Sequence, residues 1–161
     1  MPLSFLSVCY EQLLDKIYAY LHNGQQRRSR PLRNPAEKRP MSAQITDVSD
    51  GIITLKITGI LRQSEMAAVQ KQAVEIIDKQ GRVGLLAVME NFEGWERGGD
   101  WNDFEFQISH GDDIARIALV ADPQWETGAM AFSGAGFRKA SVRFFPTLQL
   151  EQAKAWITAS E

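Results

Sequence analysis

The chain has 161 residues, 44% of them hydrophobic and 24% charged, proportions that suit one ordinary globular domain with its own core. Its net charge of -2 hides an asymmetry: residues 1–40 hold seven Lys/Arg and three Asp/Glu (+4), whereas residues 41–161 hold eleven and seventeen (-6). An acidic body repels phosphate backbones and so argues against nucleic-acid binding, the single Cys9 excludes an intrachain disulfide and a Cys-rich zinc site, and no apolar run approaches the roughly 20 residues of a membrane-spanning helix.

In chain order, Leu3, Leu6, Tyr10, Leu13, Ile17 and Tyr20 lie on one face of a helix, and Asn23-Gly24 is a stop signal. Residues 1–24 therefore read as an amphipathic extension, which docks on the body, dimerises, lies on an anionic membrane, or is foreign to the natural protein. No positive stretch precedes the apolar part and Glu11 and Asp15 interrupt it, unlike a secretory signal. Residues 25–43 form a basic, proline-containing linker, and Met41 opens a fresh segment. Residues 44–161 form the domain proper.

Within it, Ile45–Val48 and Ile52–Thr58 are β-rich runs around Ser49-Asp50-Gly51, a hairpin signal. Ser64 is the predicted cap of a helix whose buried stripe is Met66, Val69, Ala73, Ile76 and Ile77, with Gly81 at its end. The run Val83–Met89 has no polar alternation, as in a strand covered on both faces. Glu90–Gly99 then reads as a crossover loop. Asp100 is the predicted cap of a second helix, with Trp101, Phe104 and Ile108 facing inward. Ile114–Ala121 is another covered strand, broken by Asp122-Pro123. Trp125–Gly136 reads as a short helix or lid, Ala140–Phe145 as a last strand, and Leu150, Ala153, Trp156 and Ile157 as the face of a final helix. Strands separated by helices predict an α/β fold, a mostly parallel four- to five-stranded sheet flanked by helices.

Four patches carry a resemblance: Asn91-Phe92-Glu93-Gly94-Trp95; Trp101-x-Asp103 with His110 beyond it; Ile117-Ala118-Leu119-Val120-Ala121-Asp122-x-x-Trp125; and Val142-Arg143-Phe144-Phe145 with Ala155-Trp156-Ile157. Together they make residues 44–160 resemble the SpoIIAA-like group of the STAS superfamily, related in fold to the CRAL-TRIO lipid-binding domains. The resemblance implies a compact bacterial, cytoplasmic protein. Anti-sigma-factor antagonists of that superfamily act by binding a protein partner and are switched off by phosphorylation of a serine after the central strand. The corresponding turn here, Glu90–Arg97, has no Ser or Thr. The relation to CRAL-TRIO domains implies a second role, carriage or sensing of a small apolar or amphipathic, lipid-like ligand.

Residue chemistry adds no catalytic set. The six carboxylates of Glu90–Phe106 read as helix capping and solvated charge before acid/base chemistry. His110-Gly111-Asp112-Asp113 contains the domain's single histidine, which fits a helix end better than a metal site. Ser133-Gly134-Ala135-Gly136 is neither a nucleophile elbow nor a phosphate loop. Arg143 should pair with Glu90 or Asp122, or meet an anionic ligand. Trp95 and Trp125 both follow covered strands, at the edge where open α/β sheets bind ligands. The expectation is therefore a non-catalytic binding module for a protein partner or a second copy, with no cofactor, no metal and no catalytic residue. Its candidate ligand- or partner-binding residues are Glu93, Trp95, Trp101, His110, Trp125, Phe132 and Arg143.

Overall fold

The computed structural model describes residues 41–98, 101 and 105–159. The predicted helix over 1–24, most of the linker, and Asp100, Asp103 and Phe104 lie outside the described residues. Five strands, β1 (Ala43–Ser49), β2 (Ile52–Leu61), β3 (Val83–Trp95), β4 (Ile114–Ala121) and β5 (Ser141–Pro146), form one sheet in sequential order. The first pair is antiparallel and every later pair parallel, the mostly parallel sheet that the sequence implies. Among the described residues four helices accompany it: α1 (Gln63–Gln80), α2 (Glu105–His110), α3 (Glu126–Phe132) and α4 (Leu150–Thr158).

The β1–β2 hairpin follows from Asp50-Gly51, which have φ of 52° and 72°, as the type I′ turn requires of both central residues. Ser49 pairs with Ile52 across it. Helix α1 buries Val69, Ala73 and Ile77 and stops at Gly81 (φ 82°), whose N–H donates to the Ile77 carbonyl at 2.7 Å. Its N-cap is Arg62, not Ser64, and Arg62 makes no side-chain cap bond. The capping acceptor comes from elsewhere: Glu96, just past β3, accepts the Gln63 N–H at 3.1 Å. A carboxylate on the orphan donors of a helix start is favourable through hydrogen bonding and the dipole, so Ser64 is not needed there.

Period-two alternation in β3 and β4 sends side chains to two cores. On the front face, Ile53, Leu55, Ile57, Ala87, Met89, Ile117, Leu119 and Ala121 meet the buried residues of α1 and α3. On the back face, Leu86, Ala118, Val120 and Phe145 meet Ala153 and Ile157 of α4. A sheet sandwiched this way accounts for the unbroken apolar runs of β3 and β4. Gly84 lets α4 approach: a Cβ there would stand 3.1 Å from Ile157 Cγ1.

Two boundaries differ from the sequence reading. Strand β3 runs through Trp95, so most of the predicted Glu90–Gly99 loop is strand. Helix α2 is described only from Glu105, Trp101 sits in a turn before it, and Ile108 is 80% exposed instead of facing inward. Phe106 packs against the front core in its place.

Candidate functional site

Two bulges place the aromatic residues at the end of β3. Thr58 pairs with Glu90 and Gly59 with Phe92, leaving Asn91 extra; Ile60 pairs with Gly94, leaving Glu93 extra. Each bulge lets two residues oppose one. Met89, Phe92 and Trp95, three apart, therefore oppose Ile57, Gly59 and Leu61, two apart, and all face the front core. Without the bulges an odd spacing would throw alternate members to the back face. Local residue choice permits the geometry: Asn91 has φ 48°, Gly94 φ 119° and Gly59 φ 62°, conformations open to glycine and, among the rest, most readily to asparagine.

Phe92 and Trp95 meet the residues that follow β4. The chain leaves β4 at Asp122, whose Oδ1 accepts the Gln124 N–H at 3.1 Å and caps a single 3-10 turn with Pro123 at its start. That turn presents Trp125. The Phe92 and Trp125 ring centroids are 4.9 Å apart, Phe92 and Trp95 5.0 Å, Trp95 and Trp125 5.9 Å, and Trp95 and Phe132 5.6 Å. Most of these pairs are edge-to-face, the arrangement that ring quadrupoles favour. Trp101 extends the cluster through Phe132 at 5.5 Å, and its Nε1 donates to the Glu96 carbonyl at 3.1 Å. The rings thus fill the space between α3 and the sheet with one another, and Trp95 is only 3% exposed.

Of the two readings of Trp125–Gly136, a short helix or a lid, the structure has the helix, Glu126–Phe132, followed by its C-terminal closure. Ala135 N–H donates to the Met130 carbonyl and Gly134 N–H to the Ala131 carbonyl, both at 3.1 Å, with Gly134 at φ 73°. This is the Schellman closure of α3. Ser133 Oγ is used in the same turn, donating to the Met130 carbonyl at 2.8 Å.

What opens to solvent lies just outside the ring cluster. A groove of about 520 Å³ runs along the carboxyl ends of β3, β4 and β5, lined by Met89, Glu90, Asn91, Phe92, Asp122, Gln124, Trp125 and Thr147. Its wall is apolar at Met89, Phe92 and Trp125, and its lip polar and acidic. Such an edge is the usual ligand position in open parallel sheets.

Of the seven candidate residues, Trp95, Trp101, Trp125 and Phe132 come together in the ring cluster, and Trp125 alone of the seven also lines the groove. Glu93 is an exposed bulge residue. His110 Nδ1 lies 3.2 Å from Asp113 Oδ2, with its ring against Phe106 at 5.7 Å; the neighbouring Asp112 pairs with Lys139 at 2.8 Å. Among the described residues no three His, Cys, Asp or Glu side chains gather as a metal set would. Arg143 is on the back face of β5, over the Phe145 ring at 5.1 Å. It pairs with neither expected acid: Glu90 is taken by Lys56 at 2.8 Å, and Asp122 caps its own turn. The groove residues Met89, Asn91, Phe92, Gln124 and Thr147 are not among the seven candidates that the sequence offers. An Asn and a Gly inside an apolar-aromatic run were the available bulge signal.

No helix of the described residues is long and apolar enough to cross a membrane. No curated protein matches the chain. A crystal structure of an uncharacterized protein from the DUF3478 family, with a SpoIIAA-like fold, from Shewanella loihica PV-4, superposes with a TM-score of 0.56 at 16% identity, over 71% of this chain and 91% of that one; this is a likeness of fold. The sequence of residues 52–158 matches the SpoIIAA-like family. That span runs from the first residue of β2 to the last of α4, and the chain belongs to the SpoIIAA-like family.

Proposed function

We propose that the chain is a non-catalytic, cytoplasmic module that binds a protein partner at the groove along the carboxyl edge of its sheet. The observation that carries this reading is the mutual packing of Phe92, Trp95, Trp125 and Phe132. It occupies the interior that a buried apolar ligand would need, so the surface left for recognition is an open groove with a half-buried tryptophan and polar edges. Half-exposed aromatic residues ringed by polar groups are the usual anchors of protein interfaces. The absence of Ser and Thr from Glu90–Arg97 separates the module from the phosphorylation switch of anti-sigma-factor antagonists.

The test uses exposed positions whose change leaves the core intact. Gln124→Arg or Thr147→Arg should abolish retention of the partner that the wild-type chain retains, whereas Glu75→Arg on the outer face of α1 should not. A wild-type chain that sediments as a strict monomer and retains no partner overturns the reading.

The apolar wall of Met89, Phe92 and Trp125 supports a second reading, a small amphipathic ligand lying in the groove, whose volume falls in the range of small-molecule sites. Native mass spectrometry of protein taken from cells would then show an adduct, and a fatty acid would shift tryptophan emission. A bare mass with unchanged emission removes that alternative.

A further inference from the structure

From the charge and topology of the groove we infer that its occupant within this chain is the basic segment 27–39. This rests on the groove being a protein-docking surface. Residues 27–39 hold Arg27, Arg28, Arg30, Arg33, Lys38 and Arg39 against the single acid Glu37. The groove offers the complement. The Asp122 carboxylate accepts a backbone N–H and pairs with no cation of the described residues. Glu90 meets Lys56 with 47% of its side chain still exposed. Trp125 beside them presents an aromatic surface on which a guanidinium gains a cation–π contact.

Topology brings the two together. Because β1 is antiparallel to β2, the chain enters β1 at the carboxyl edge of the parallel strands. The Thr58 N–H donates to the Ser42 carbonyl at 2.8 Å, and Thr58 is the partner of Glu90. Ser42 therefore stands two strand spacings, about 10 Å, from Glu90. Four residues of extended chain reach about 13 Å, so Lys38 and Arg39 can meet Glu90, and the arginines before them can continue to Asp122 and Trp125. A tether this short raises the local concentration of the segment to about the millimolar range, enough for weak ion pairs to matter. A partner with a basic segment would have to displace it.

Zero-length carbodiimide coupling of the full chain tests this. Lys38 is the only lysine between Lys16 and Lys56, so its cross-links can be assigned. The expected result is a Lys38 link to Glu90 or Asp122 in monomeric protein. Its yield should fall about fivefold in 1 M salt, where screening shortens to a few Å, and fall comparably in the Arg30→Gln/Arg33→Gln chain. Links from Lys38 to distant acids such as Glu75 or Glu151 in equal yield overturn the inference. So do links confined to dimers, or a yield unchanged in the double variant, which would reflect the tether alone. A failed cross-link beside a partner still lost in Gln124→Arg removes this occupant and leaves the docking surface standing.

Discussion

The Arg116 guanidinium holds the end of α4 in two ways. Its Nη1 donates to the carbonyls of Trp156 and Ala159, both at 2.8 Å, and its Cζ lies 5.4 Å from the centre of the Trp156 ring. A cation on the last carbonyls of a helix satisfies orphan acceptors and opposes the dipole. Arg116→Ala should therefore cost about 1–3 kcal/mol in urea denaturation, and Arg116→Lys should recover only part, since an ammonium lacks the planar fork. Asn91 is the other informative side chain. At φ 48° a β-branched residue is strained, so Asn91→Val should lower stability by about 1–2 kcal/mol. Asn91→Gly should stay within a few tenths, both read from thermal melts.

Among elements, those whose sequence signal is local were legible. Asp50-Gly51 sets the hairpin, the apolar run Ile114–Ala121 sets β4, and Ala153 and Ile157 set the buried face of α4. The extension of β3 was not legible, because two bulges break the alternation that identifies a strand. The face of α2 was not, because the Trp101 indole is held by Glu96 in a turn outside the helix. The cap of α1 was not, because its acceptor is 33 residues away in sequence. Glu96→Ala should loosen the α1 start by about 1 kcal/mol, with faster amide exchange in its first turn. Between sheet and α4, Gly84→Ala should be destabilising in the wild type and less so in an Ile157→Ala background, because Ile157 Cγ1 is the nearest obstacle. A double-mutant cycle reads this as a coupling of at least about 0.5 kcal/mol.

At the scale of the molecule, front and back cores share β3, β4 and β5, so neither can be lost while the other keeps its floor. Circular dichroism and tryptophan fluorescence should then report one urea transition with one midpoint, although Trp95 and Trp156 sit on opposite faces. Trp95→Ala should lower stability by about 3–5 kcal/mol, because it empties the centre of the ring cluster. At this scale the family was readable from four short patches, but the groove was not, because it forms where β3, β4 and β5 end side by side.

The paired bulges of β3 also bear on chain length. Asn91 and Glu93 are supernumerary in the ladder, so excising either one leaves Phe92 and Trp95 opposite the same β2 residues. Excising one residue from Leu85–Val88 would turn the end of the strand over. Single-residue gaps between relatives should be harmless at these two positions and ruinous a few residues earlier, and the bulge at Asn91, which lines the groove, is a place where its rim can be reshaped without disturbing the core.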